Sequence, residues 1–273
     1  MKNKQVSPYK TKLDEGNAYW MARLSKEVYY RKSKENQIPD EKKILAHLKK
    51  DDTRFNSVFG VDKNSAQAAL IEHDEFLCMV FRGSDELSDW LDNINVFYTE
   101  EVSGKFHRGF WDSVEDVWKP LNDKFQDLQK QKKRPLFITG HSLGGAMATI
   151  AAVRLIHEDQ PFTSVYTFGQ PRALEKETAK IFNMKCKSRF FRFHNNNDIV
   201  TRVPAQLAGY SHIGNYLYIS EEKEIHQSVG FWFKFIDHID GFLSSIKEDG
   251  IDSVEDHYVE KYLKAVEKWN IQK

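Results

Sequence analysis

The sequence predicts an α/β fold with a largely parallel central sheet flanked by helices on both faces. Three observations predict it. From Phe76 onward, short apolar β-branched runs alternate with segments of helical period, the pattern of strand–helix–strand units. Hydrophobic residues make up 40% of 273 positions and charged residues 29%, which supplies both a core and a hydrated surface. A glycine-rich turn, Gly140-His-Ser-Leu-Gly-Gly145, stands where one such strand gives way to one such helix.

The elements follow in order. From Asn17 to Tyr30, Ala18, Met21, Ala22, Leu24, Ser25 and Val28 recur at helical spacing. A second helix is predicted near Glu41 to Lys50. Ala66 to Ile71 and Phe76 to Phe81 are apolar runs around His73-Asp74-Glu75, a hairpin or meander. Gly109 to Gln131 reads as a helix that Pro120 interrupts or kinks, because proline lacks the N–H and clashes with the preceding turn. Leu136 to Thr139 is a strand and Ala146 to Ile156 a helix with a buried face. Ser164 to Phe168 and Ser188 to His194 are strands flanking a helix over Leu174 to Phe182. Tyr216 to Ser220 is a further strand, and Phe231 to Ile246 and His257 to Trp269 are helical. The N-terminal helices show no core of their own, so 1–273 is expected to be one domain.

Composition narrows the function. The formal net charge is +0, and no nucleic-acid-binding motif is present, so no nucleic acid partner is expected. The basic run Lys130 to Arg134 reads as solvated surface. The start, MKNKQVSPYK, has lysines but no apolar region and no small-residue cleavage site, so a cytoplasmic protein is expected, with signal-less export as the alternative. No run of 18 apolar residues suggests a transmembrane helix. Cys78 and Cys186 are expected as free thiols. Neither has metal-ligand spacing, and no metal, cofactor or obligate protein partner is expected.

The turn at Ser142 carries chemistry. Gly140-x-Ser142-x-Gly144 after a strand and before a helix forces a sharp reversal that stands Ser142 Oγ out at the sheet's C-terminal edge. Side chains two before and two after the serine would strike the neighbouring strand and helix. The helix N-terminus presents free N–H groups, and that of Leu143 suits an oxyanion. A neutral serine needs a base, and the base needs an orienting acid. On this architecture the order is serine, acid, histidine. Asp198 follows the strand ending at His194, in the loop Asn195-Asn-Asn-Asp198. His257, in Ser253-Val-Glu-Asp-His257, and His212, in Gly209-Tyr-Ser-His212, are the two candidate bases that pattern leaves open.

Seven stretches, in order, resemble the class 3 lipases, the fungal-lipase-like branch of the α/β-hydrolases. They are Phe81-Arg-Gly-Ser84, Phe106-His-Arg-Gly-Phe110, Gly140-His-Ser-Leu-Gly-Gly145, Phe168-Gly-Gln-Pro-Arg172, Asn197-Asp-Ile-Val-Thr-Arg-Val-Pro204, Tyr210-Ser-His-Ile-Gly214 and Asp256-His-Tyr-Val-Glu-Lys-Tyr262. The resemblance spans roughly Tyr19 to Leu263. It implies an α/β-hydrolase fold with Ser142 as nucleophile, Asp198 as acid and His257 as base, and it moves His212 to a wall of the site. It also implies that Ser84 supplies a second oxyanion donor beside Leu143. A neutral imidazole base implies activity that falls below about pH 6.

Two segments bear on what reaches the site. Over Asp85 to Ile94, Leu87, Trp90, Leu91 and Ile94 fall at i, i+3, i+4 and i+7, one apolar helix face. Family members carry a lid here; a fixed surface helix is the plainer alternative. Over Ser228 to Ile246, Trp232, Phe235, Ile236, Ile239, Phe242, Leu243 and Ile246 make an apolar stripe. It reads either as a core-packed helix inserted between acid and base, or as an acyl-chain wall or a second flap that touches membrane. The expected activity is hydrolysis of lipid carboxylic esters such as acylglycerols, with transient contact at a lipid surface. Phospholipase or galactolipase action on membrane lipids, including by an exported effector, is the alternative. The fold also permits feruloyl esterase action, a lesser alternative, and a non-catalytic lipase-like binding module is disfavoured because every triad and oxyanion position is filled.

Overall fold

The computed structural model describes residues 4–84, 91, 94, 96–101, 104–227 and 255–271. In chain order the described elements are α1 (Glu15–Glu27), α2 (Glu41–Asp51), β1 (Phe55–Lys63), β2 (Ala66–His73), β3 (Leu77–Phe81), β4 (Tyr98–Glu101) and β5 (Gly104–His107). They continue with α3 (Arg108–Gln131), β6 (Leu136–His141), α4 (Leu143–His157), β7 (Ser164–Phe168), β8 (Leu174–Glu175) and α5 (Lys176–Cys186). The last are β9 (Phe190–Asn195), β10 (Tyr210–Ser211), β11 (Asn215–Ile219), β12 (Ile225–His226) and α6 (Val259–Lys268).

The main sheet runs β1-β2-β3-β6-β7-β9-β11-β12. Strands β3, β6, β7, β9 and β11 are mutually parallel, while β1, β2 and β12 add antiparallel edges. Period-two alternation divides the side chains between two cores. Leu77, Met79 and Phe81 of β3 join Leu136 and Ile138 of β6 against α3 and α4. Cys78 and Val80 join Phe137, Phe168, Phe191 and Phe193 against α1, α2 and α6. Burying a Leu or Phe side chain stabilises by about 1.5–3 kcal/mol, so each face holds its helices through many small contributions. This is the α/β-hydrolase arrangement, with helices on both faces of a mostly parallel sheet.

Several boundaries depart from expectation. Helix α3 continues through Pro120, which does not interrupt it. Pro120 and Asp116, whose carbonyl the proline leaves without its usual helical donor, both lie on partly exposed turns, where water can serve that carbonyl. Leu174 and Glu175 form a short strand and the helix starts at Lys176, capped by the Glu175 carboxylate on the N–H groups of Glu177 and Thr178. The last helix begins at Val259, not His257. The strand expected from Ser188 starts at Phe190, after a 3₁₀ turn. Strand β1 was not expected, nor was a second sheet of order β10-β8-β5-β4. Cys78 and Cys186 are both buried and free. Leu87 and Trp90 of the expected lid, and the whole apolar stripe of 228–246, lie outside the described residues.

Candidate active site

Strands β6, β7 and β9 are parallel neighbours, so their C-terminal ends come out at one edge. Ser142 follows β6 directly. Its backbone has φ 59° and ψ −132°, a conformation a non-glycine residue rarely adopts. The reversal brings strand and helix too close for side chains. A Cβ on Gly140 would stand 2.2 Å from the Gly144 carbonyl oxygen, and one on Gly144 would stand 2.1 Å from that of Phe81. The Ser142 N–H donates to the Phe168 carbonyl (2.9 Å), which ties the turn to the end of β7. The Oγ has no hydrogen-bond partner among the described residues. Ser142 is only 1% exposed, where an outstanding serine was expected. The reason is local packing: Gly83 closes over it so tightly that a Cβ there would meet Ser142 Cβ at 2.9 Å.

Asp198 caps the turn after β9, its Oδ1 accepting from the Val200 N–H (2.9 Å). His257 Nδ1 lies 3.0 and 2.9 Å from the two Asp198 oxygens. The Tyr262 hydroxyl donates to Asp198 Oδ2 (2.5 Å) and accepts from the Asn195 N–H (3.0 Å). Burial alone would raise the Asp198 pKa, but the His257 ring, His194 and the Tyr262 bond outweigh it and hold the carboxyl below the usual range. Burial, then the Asp198 charge, push the Tyr262 hydroxyl well up, so it remains a donor. An ionised Asp198 only accepts, so Nδ1 carries a proton, and a ring with one proton presents a bare Nε2 lone pair. That Nε2 is buried and has no partner among the described residues. The His257 ring packs on Gly169, the residue after β7; a Cβ there would stand 3.0 Å from Nδ1.

A polar network supports the histidine. His141 Nε2 donates to the His257 carbonyl (2.6 Å), and the Tyr29 hydroxyl donates to His141 Nδ1 (2.8 Å). Burial and the neighbouring His257 push His141 down to about 3, so it is neutral and its tautomer is set by these two bonds. Sequence reasoning passed over His141, Tyr262 and Gly169 although all three lie inside the quoted motifs. Tyr29 carried no signal, since its partner is more than a hundred positions away.

Ser84 follows β3 and, with Leu143, lines a cavity of about 760 Å³. Ile94, Phe110 and Met147 form an apolar wall of it, and His107 borders it. Ile94 and Leu91 of the expected lid face are both partly buried, and Ile94 packs on the α3–α4 core. His212 sits elsewhere. It is not among the described residues lining this cavity, and its Nε2 donates to the Thr201 carbonyl (2.8 Å), behind the Asp198 turn. Burial, then the Arg192 and Arg172 charges, hold His212 well below the usual imidazole range. Among the described residues no group of three or more His, Cys, Asp or Glu side chains stands close enough to hold a metal ion.

A strained serine turn at one strand end and a histidine held on a carboxylate at another are set on an α/β-hydrolase fold. Residues 78–208 match the family model described as Lipase (class 3). The lipase of Rhizomucor miehei is 30% identical over 165 residues, 58% of this chain and 45% of that protein. Secreted mono- and diacylglycerol lipase A of Penicillium cyclopium is 30% identical over 169 residues, 58% of this chain and 52% of that one. A solved triacylglycerol lipase, described as having a serine protease triad at its catalytic centre, superposes with a TM-score of 0.65 at 26% identity, covering 77% of this chain and 82% of the other. The chain is similar to the class 3, fungal-lipase-like lipases over these residues. It spans about half the length of the curated relatives it matches.

Proposed function

We propose that this protein is a serine hydrolase of lipid carboxylic esters, acting on acylglycerols through an acyl-enzyme. The observation that carries this reading is the Asp198–His257 pair with its Nε2 unpartnered, together with a strained serine at the same edge of the sheet whose Oγ is also unpartnered. His257 Nε2 takes the Ser142 proton as Oγ attacks the ester carbonyl, and Asp198 stabilises the imidazolium. The tetrahedral oxyanion receives N–H groups from Leu143 and Ser84. Each such donor is worth about 3 kcal/mol of barrier. Collapse breaks the C–O bond, and His257 returns the proton to the leaving alcohol. Water then deacylates by the same proton path, releasing the fatty acid and free serine. The apolar wall of Ile94, Phe110 and Met147 suits an acyl chain in the cavity beside the donors.

With Ser142 buried, an ester carbonyl reaches Oγ only once the mouth opens, which fits action at a lipid surface. The name of the Penicillium relative places that protein outside the cell, and this favours an extracellular setting over the cytoplasmic expectation; fractionation of the source cells checks it. The central test is Ser142→Ala. Wild type should hydrolyse p-nitrophenyl butyrate and be labelled by a fluorophosphonate, and the variant should do neither. Undiminished hydrolysis by the variant would refute the assignment. Incubating both with a total lipid extract identifies the ester cleaved; loss confined to phospholipids or galactolipids would replace acylglycerol as the substrate.

A further inference from the structure

We propose that Asp256, the residue before His257, is a positioning residue that locks the base to the turn carrying the acid. This rests on the reading above of His257 as base. Ser142 and Asp198 are placed by the ends of β6 and β9, but His257 belongs to neither a strand nor a helix. Something other than the sheet must hold its ring on Asp198. The Asp256 side chain is 12% exposed and meets the three consecutive residues that precede Asp198. Asn196 Nδ2 donates to Asp256 Oδ2 (2.9 Å), and the Asn197 N–H donates to the same oxygen (3.2 Å). Asn195 Nδ2 donates to the Asp256 carbonyl (2.7 Å) and, less closely, to Oδ1 (3.3 Å). Lys223 Nζ lies 3.9 Å from Oδ1 and donates to Asn195 Oδ1 (3.1 Å).

The turn that Asp256 grips is itself anchored. The Asp198 N–H donates to the Asn195 carbonyl (2.9 Å), and the Asn196 N–H donates to the Ile219 carbonyl at the end of β11 (2.8 Å). Asn196 has φ 43°, a left-handed conformation that asparagine tolerates and that turns its amide toward Asp256. One chain of bonds therefore runs from Asp198 through Asn195 to Asp256 and, by a single peptide link, to His257. A carboxylate collecting several N–H donors makes the strong, charge-assisted kind of hydrogen bond. A device of this kind sets where the imidazole stands, and so acts on the chemical step more than on substrate binding.

The test is steady-state kinetics on a short, soluble ester, with wild type and Ser142→Ala run alongside. Asp256→Ala should lower kcat by about 10- to 100-fold, the usual cost of misplacing a catalytic group by a fraction of an ångström to one ångström, with KM changed less than about twofold. Asp256→Asn keeps the side-chain shape and one acceptor, and should recover most of that loss. Asn196→Gly suits the left-handed backbone and removes one donor, so it should reduce kcat several-fold in a folded protein. A folded Asp256→Ala with wild-type kcat, or with only KM altered, overturns the proposal. If Asp256→Ala does not fold, Asn196→Gly decides: an unchanged kcat overturns it. Wild type without esterase activity, or Ser142→Ala as active as wild type, overturns the functional reading and this proposal together.

Discussion

Replacing Gly169 by alanine tests the geometry of the site most directly. Gly169 has φ 60°, and its missing side chain is where Asp198 and His257 lie. A Cβ would stand 2.7 Å from Asp198 Oδ2 and 3.0 Å from His257 Nδ1 and Cε1, short of the 3.4 Å of ordinary contact by 0.7 and 0.4 Å. The carboxylate and ring must separate from the backbone by those amounts, or the backbone must retreat. A one-ångström error at reacting groups costs about 100-fold, so a displacement of this size should lower kcat by about 10-fold or somewhat more. Holding alanine in the left-handed region adds about 1 kcal/mol of instability, a fall of about 2–4 °C in Tm for a chain of this size. Gly169 is not among the described residues lining the cavity, so KM for a small ester should hold. The assay is kcat and KM on p-nitrophenyl butyrate, with Tm from a thermal melt. A folded Gly169→Ala with wild-type kcat would show that the Asp198–His257 contact does not govern the reaction.

Three further outcomes are expected. Tyr262→Phe removes one donor from Asp198 and leaves the Asn195 N–H without its acceptor, so stability should fall by about 1–3 kcal/mol, measured by urea unfolding. The lost bond also loosens the carboxylate that holds the His257 ring, so kcat on a soluble ester should fall several-fold; an unchanged kcat refutes this role. His141 and His194 are each held at about 3 by burial, against an ordinary 6.5. The unfolded chain thus binds more protons between those values, and stability is lost as pH falls below about 6.5, by about 1.4 kcal/mol per pH unit for each histidine. Urea midpoints at pH 7, 6 and 5 check this, and a flat series refutes it. Finally, hydrolysis of one ester should jump as its concentration crosses the solubility limit, because Ser142 is buried; a smooth saturation curve would count against opening at an interface.

The parts legible in the sequence were those carried by short-range steric need. Gly140 and Gly144 are demanded within a few residues of each other, and a Cβ at either would strike backbone atoms of Gly144 or Phe81. The strands of the parallel sheet announced themselves by continuous apolar runs, because both of their faces are buried. Strand β1 was missed because its sequence, FNSVFGVDK, mixes Asn56, Gly60 and Asp62 into an edge position where polar residues meet solvent. The second sheet was missed because β8 and β10 are two residues long, below any periodicity. Choosing His257 over His212 needed the family resemblance. Spacing alone could not see that Thr201, Arg172 and Arg192 surround His212.

The network beneath the site was unreadable for a different reason. Tyr29, His141, Tyr262 and Asp256 are brought together by the packing of α1 and α6 on the same face of the sheet, and no local pattern records that meeting. Yet the fold makes some such network necessary. Parallel strands deliver the ends of β6, β7 and β9 to one edge, which places Ser142, Gly169 and Asp198 without further help. No strand delivers His257. Its ring must be aimed by bonds to its carbonyl from His141, by the Gly169 surface beneath it, and by the grip of Asp256 on Asn195 to Asn197. The polar groups that sequence reading overlooked are therefore concentrated around the one catalytic candidate that the sheet does not position.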